Sequence, residues 1–163
     1  MQKDVAERFR RLEASEAIRQ CVYSYALAGD RGNAGHIVTR LFTEEGSYEA
    51  PGFGRFEGRA NVVRGLEDIA AKAVLWAFHI PGGPLITLSE DGQSAKAFWW
   101  VFVPVKLNVD GQATPFWGAG HYNADLVIEA GQWKFHRVLF ETKLQTPFAG
   151  PWTQIDGKFE WPE

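Results

Sequence analysis

Residues 94–107 read Ser-Ala-Lys-Ala-Phe-Trp-Trp-Val-Phe-Val-Pro-Val-Lys-Leu, and within them Ala97-Phe98-Trp99-Trp100-Val101-Phe102-Val103 is apolar at every position. Aromatic and β-branched side chains favour an extended strand. A strand with one face in water alternates apolar with polar, so this one is expected to be covered on both faces. One face is assigned to helices or a cavity, the other to a second subunit. Lys96 and Lys106 bracket the run as charged gatekeepers. Pro104 has no N–H to give to a ladder, which predicts a bulge or bend. A bent strand curves its sheet, and a curved sheet closed by helices encloses a pocket.

The flanking sequence fills in that frame. Three turns, Glu90-Asp91-Gly92-Gln93, Val109-Asp110-Gly111-Gln112 and Glu129-Ala130-Gly131-Gln132, punctuate β-rich segments. Glycine between apolar or alternating runs signals hairpins. The spacing predicts strands over 76–80, 84–89, 94–107, 113–128 and 133–143, joined as an antiparallel meander. Upstream, Val5, Phe9, Leu12, Ile18, Val22 and Tyr25 recur at helical spacing. They predict a helix over 4–29, with Ser15 a candidate cap dividing it in two. Gly29 reads as its stop and Asn33 as the cap of a short helix over 34–42. A brief strand over 46–50, a turn at 51–54 and a helix over 60–73 complete the first half. Helices first and a long sheet afterwards define an α+β fold. It is expected to be cone-shaped, its N-terminal helices packed on a strongly curved antiparallel β-sheet that encloses a pocket.

Composition narrows the function classes. The 163 residues are expected to form one domain over 1–163, burying roughly 69% of the unfolded surface. Cys21 is the only cysteine, which excludes an intramolecular disulfide framework and Cys-rich metal sites. A net charge of −3 without an Arg/Lys cluster gives no footprint for nucleic acid. Neither a signal peptide nor a membrane-spanning run is visible, so a cytoplasmic location is expected. Aromatic residues form 14% of the chain, enough to line a small-molecule cavity as well as a core. Gly-x-Ser-x-Gly, phosphate-loop and His-Glu-x-x-His motifs are absent, and no dinucleotide fingerprint follows a strand.

Two residues break local rules. Asp30 falls at the C-terminal end of a helix, where the macrodipole disfavours a carboxylate. His79 sits in the apolar stretch Trp76-Ala77-Phe78-His79-Ile80 and leads into Pro81-Gly82-Gly83-Pro84. A carboxylate that orients an imidazole makes a general base able to take a proton beside a carbonyl without a cofactor. Donors for the resulting oxyanion are Tyr25, Tyr48 and Arg137. Strand alternation puts Arg137 on the face of Trp133 and Phe135. His121, Asn123 and Asp125 share one face of their strand. Asn123 and His121, with Trp100 and Phe53, are expected to contact substrate. No spacing favours a metal site built from Asp30, His79 and His121. His36 and His136 read as surface residues.

From about Leu12 to Pro147 the chain resembles the nuclear-transport-factor-two-like superfamily, in its SnoaL-like and scytalone dehydratase branches. Ile18-x6-Tyr25-x4-Asp30-x-Gly32 followed by Leu41-Phe42-Thr43 resembles the family's helical opening, and Phe56-Glu57-Gly58 its short hairpin. His79-Ile80-Pro81-Gly82-Gly83 is similar to the His-x-x-Gly-Gly of scytalone dehydratase, whose histidine is the base. Gly120-His121, Ala124-x-Leu126 and Gly131-x-Trp133-Lys134-Phe135 resemble its late strands. The resemblance implies an Asp30–His79 dyad, carbonyl polarisation by Tyr48 through water, and a substrate contact at Asn123. Tyr25 and Arg137 fit the broader dehydratase and dehydrochlorinase relatives. Two positions depart from the pattern: Gly29 stands where a tyrosine is expected, and Val105 where a second histidine is. The expected activity is that of a cofactor-independent dehydratase acting on a small cyclic or aromatic hydroxy-carbonyl compound, in a homodimer or homotrimer. The alternatives are a ketosteroid-type isomerase, a non-catalytic small-molecule binding protein, and a partner resembling the β-subunit of a ring-hydroxylating dioxygenase.

Overall fold

A computed structural model describes residues 2–149, so the expected domain over 1–163 extends beyond the described residues at 1 and 150–163. Helix α1 (Gln2–Asp30) buries Ile18, Cys21, Val22, Tyr25 and Ala28, a stripe at three- and four-residue spacing. Its first half presents Val5, Phe9 and Leu12 to solvent instead. Ser15 does not divide it, because its hydroxyl donates to Arg11 O at 2.9 Å, one turn back. Nor does Gly29 end it. The helix runs through Asp30, and the left-handed turn falls at Gly32 and Asn33, with Ala34 N donating to Ala28 O at 3.1 Å. Asn33 caps nothing, since its amide donates to Leu66 O. Helix α2 (Gly35–Leu41) passes directly into β1 (Phe42–Ala50), which is longer than the alternation suggested. Then come β2 (Gly54–Glu57) and α3 (Arg59–Ala73), which buries Val62, Leu66 and Ala70.

The expected strand over 76–80 is two pieces, β3 (Val74–Ala77) and β4 (Ile80–Pro81), with residues 78 and 79 between them. Strand β5 (Leu85–Leu88) precedes the three long strands β6 (Ser94–Val109), β7 (Gln112–Glu129) and β8 (Gln132–Pro147). The order across the sheet is β2-β1-β8-β7-β6-β3, with β4 and β5 also paired to β6. The meander of β6, β7 and β8 is antiparallel as expected, but β1 lies parallel to β8, so the curled sheet is mixed. Closing the cone with a strand that arrives from the helices sets that direction.

Pro104 leaves the β6–β7 ladder unbroken, pairing with Trp117. Its carbonyl accepts from Phe78 N at 3.1 Å. Its missing N–H therefore faces the gap between β3 and β4, where no partner strand needs a donor. Irregularities lie elsewhere: residues 136 and 143 of β8 are each an extra residue against β7, and the register also shifts between Val74 and Trp76 of β3 and between Phe42 and Ser47 of β1.

Trp99, 2% exposed, is stacked on Tyr122 at 4.8 Å in the middle of the inner face. Ala95, Ala97 and Ala124 share its core. Truncating Trp99 would cost about 3–5 kcal/mol.

Candidate active site

The inner face of the sheet beyond Trp99 is not filled. It bounds a cavity of about 150 Å³, closed on the helical side by Leu66, Ile69 and Ala70 of α3. Val103, Val105 and Leu107 of β6 and Phe140 of β8 supply more of the apolar wall. Polar atoms reach it from His79, Tyr48, Tyr122, Asn33, Thr142 and Gln145. No lysine, arginine, aspartate or glutamate lines it among the described residues.

His79 stands in the gap between β3 and β4. Phe78 N is tied to Pro104 O, so the next N–H, that of His79, points away from the sheet. Asp30 at the end of α1 receives it: Oδ1 accepts from His79 N at 2.7 Å and from His79 Nδ1 at 2.7 Å. The two side chains are 20% and 21% exposed, half-screened from water. With Nδ1–H committed to the carboxylate, Nε2 keeps its lone pair, and the imidazole lies on the cavity wall while Asp30 stands behind it.

Three phenols adjoin this pair. Tyr48 on β1 and Tyr122 on β7 line the main cavity. Tyr25 on α1 packs edge-on against Tyr122, ring centroids 5.7 Å apart, and with Tyr122 and His79 lines a second cavity of about 20 Å³. Burial pushes the Tyr48 phenol up to about 12, and pushes Tyr25 and Tyr122 well above the ordinary tyrosine value. All three are therefore neutral O–H donors at physiological pH. Phe53, in the turn after β1, also lines the cavity while remaining half-exposed.

Of the residues singled out in the sequence, Asp30, His79, Tyr25, Tyr48 and Phe53 are thus brought together. Arg137, Asn123, His121 and Trp100 are not. Arg137 is exposed on the outer face, 3.9 Å from Asp125, because the extra residue His136 reverses the alternation that began at Trp133 and Phe135. Asn123 is exposed on that same face, opposite Phe98. Trp100 alternates with the inward Trp99 and Val101 and so points outward. His121 is buried there against Phe98 and Trp100, its Nε2–H donating to Glu141 at 2.8 Å. It lies across the sheet from Asp30 and His79, which separates the three residues weighed as a metal set. Sequence reasoning missed Tyr122, Phe140 and Asn33. The signal for Tyr122 was present: Tyr122, Ala124 and Leu126 are the apolar alternates of a strand whose other residues are His121, Asn123 and Asp125.

Residues 10–138 match the SnoaL-like domain family, and the chain belongs to that family. No functionally curated protein sequence matches it. Among solved structures it is similar to a hexachlorocyclohexane dehydrochlorinase (LinA, type 2), with a TM-score of 0.80 and 16% identity over 88% of this chain and 95% of that one. A proposed scytalone dehydratase of Novosphingobium aromaticivorans gives a TM-score of 0.72 and 20% identity over 88% and 93%. A nuclear-transport-factor-2-like protein of Salmonella enterica gives 0.72 and 16% over 87% and 99%. These likenesses establish the cystatin-like α+β cone.

Proposed function

We propose that this chain is a cofactor-independent lyase that eliminates water from a small, uncharged, cyclic or aromatic hydroxy-carbonyl compound. The observation that carries the reading is the 2.7 Å Asp30–His79 pair with its imidazole on the wall of an apolar cavity. His79 Nε2 takes the proton on the carbon next to the carbonyl. The C–H electron pair moves into the carbonyl, and a neutral phenol, Tyr48 or Tyr122, donates to the enolate oxygen. Asp30 holds the imidazolium through Nδ1–H. When the enolate collapses back to the carbonyl, the β-hydroxyl leaves with the proton from His79, so water departs and the base is regenerated.

The protonated phenols favour an oxygen-bearing substrate over a purely chlorinated one, because chlorine is a poor hydrogen-bond acceptor. Absence of any lining cation among the described residues argues against a carboxylate or phosphate on the substrate, since an unpaired charge is costly to bury. A cyclic ketone should therefore quench tryptophan fluorescence at concentrations at least about 100-fold below those needed for the carboxylate of the same ring. Equal affinity would remove the uncharged-substrate assignment.

The direct test is a screen of β-hydroxy ketones for enone absorbance, repeated with His79→Gln. Turnover is expected to fall by at least about 10²-fold with thermal unfolding unchanged. Full activity of His79→Gln would end the dyad assignment. Isomerisation of an unsaturated ketone uses the same base without a leaving group, and the screen separates it by product. Saturable binding without turnover of any compound would favour a binding protein. Insolubility relieved only by a second type of subunit would favour an assembly partner.

A further inference from the structure

Gly29 is the residue before the last of α1, and its backbone is ordinary helix, outside the left-handed region that calls for glycine. Alanine is the better helix former at such a position. A Cβ placed there, however, would lie 2.7 Å from His79 Cε1, 3.0 Å from Nδ1 and 3.2 Å from Nε2. Contacts that short force one group to move. The imidazole thus occupies the space that a side chain at position 29 would take.

The ring has little freedom to give way. His79 is held at two points by one carboxylate oxygen, through its own N–H and through Nδ1, both at 2.7 Å. The residue before it is tied to Pro104 O at 3.1 Å. Displacing the ring edge requires turning the imidazole about its side-chain torsions, and that breaks the Nδ1–Asp30 bond first. Gly29 also lines both cavities, as do His79 and Tyr122.

We propose that Gly29 is the positioning residue for the base: its bare Cα is the floor against which the His79 ring lies, with Nδ1 toward Asp30 and Nε2 left for a substrate. The proposal rests on the Asp30–His79 reading above.

The test needs no substrate. A cycle of G29A, H79A and the double variant is followed by thermal unfolding. In the H79A background the alanine methyl has room, and Tm should rise by about 2–4 °C as helix propensity dictates. With His79 present, G29A should give no rise or a fall. A G29A chain that fails to fold but is rescued by H79A supports the proposal equally, and failure of that rescue overturns it. In parallel, the long-range ¹H–¹⁵N spectrum of the imidazoles reads which ring nitrogen carries the proton, with His36, His121 and His136 as internal references. G29A should move the His79 signals alone and remove its Nδ1–H signature. An equal Tm gain in both backgrounds, with an unchanged His79 spectrum, would overturn the proposal. Asp30→Asn separates the two levels. If it leaves the His79 tautomer unchanged, the dyad reading itself falls. If it alters the tautomer while G29A does not, only the role of Gly29 falls.

Discussion

Asp30 is a carboxylate at the negative end of a helix, and that position costs stability unless donors offset it. Here two N–H groups of His79 converge on one of its oxygens. Asp30→Asn should therefore do more than remove a charge. The amide can orient the imidazole in the wrong tautomer, and turnover should drop about 10²–10⁴-fold with modest loss of stability. Paired kcat and urea-midpoint measurements check this, and unchanged kcat would count against it. The phenols carry a separate prediction. Tyr48 is held at about 12 against an ordinary 10.0, and Tyr25 and Tyr122 are likewise held well above it by burial. A raised folded-state value favours the neutral form. Its contribution is thus complete below pH 10 and lost as pH climbs through 12, about 3 kcal/mol for Tyr48 alone. Absorbance near 295 nm should show these three of the chain's four tyrosines ionising together with loss of circular dichroism. Ionisation that precedes unfolding would refute their burial. Asp30 and His79 were legible in the sequence because each violates its surroundings, a carboxylate at a helix end and an imidazole in an apolar run.

Strands were legible in order, since glycine turns punctuate them, but neither in number, six being read against eight among the described residues, nor in the parity of β8. Alternation from Phe135 would bury Arg137, whereas the next inward residue is Val138. The three-residue spacing between those two apolar positions is the trace of the bulge, and it was readable beside the polar His136-Arg137 pair. The second bulge left no such trace. It depends on Gly120, where an added Cβ would overlap the Glu141 carbonyl oxygen and come within 2.7 Å of Phe140. Neither neighbour yields cheaply, one being backbone and the other a ring on the cavity wall. Gly120→Ala is therefore expected to lower stability by about 2–4 kcal/mol. In urea the midpoint should shift with the slope preserved. A change below about 0.5 kcal/mol would mean that the bulge relaxes without cost. The parallel pairing of β1 with β8 was beyond sequence reasoning altogether, because no local pattern records which strand closes a cone.

At the scale of the whole molecule, the sheet has one face committed to the helices and cavity, and its outer face is also apolar. Phe102 is stacked on Trp117 at 5.5 Å, and Trp117 meets Phe148 at 4.9 Å, along strands whose inner residues already fill the core. Around this aromatic row lie charges of both signs, with Arg137 near Asp125 and Lys143 near Glu141. Such a surface can pair with its own copy, aromatic centre to aromatic centre and basic rim to acidic rim. We propose on that ground that the chain assembles as a homodimer or homotrimer through the outer face. Light scattering on the wild type should then give two or three times 18.3 kDa. Phe102→Asp places an unpaired carboxylate in the middle of the contact while leaving the inner face untouched, so it should return the mass to 18.3 kDa with the fold retained. A wild type that already runs as a single chain would refute the assembly. A Phe102→Asp variant that stays oligomeric would place the contact elsewhere, on the β3 and β4 edge, where Trp76, Phe78 and Ile80 are exposed. That edge also carries His79. An assembly built there would make the base sensitive to dissociation, whereas one built on the outer face would leave it indifferent, and activity measured across the dilution range distinguishes the two.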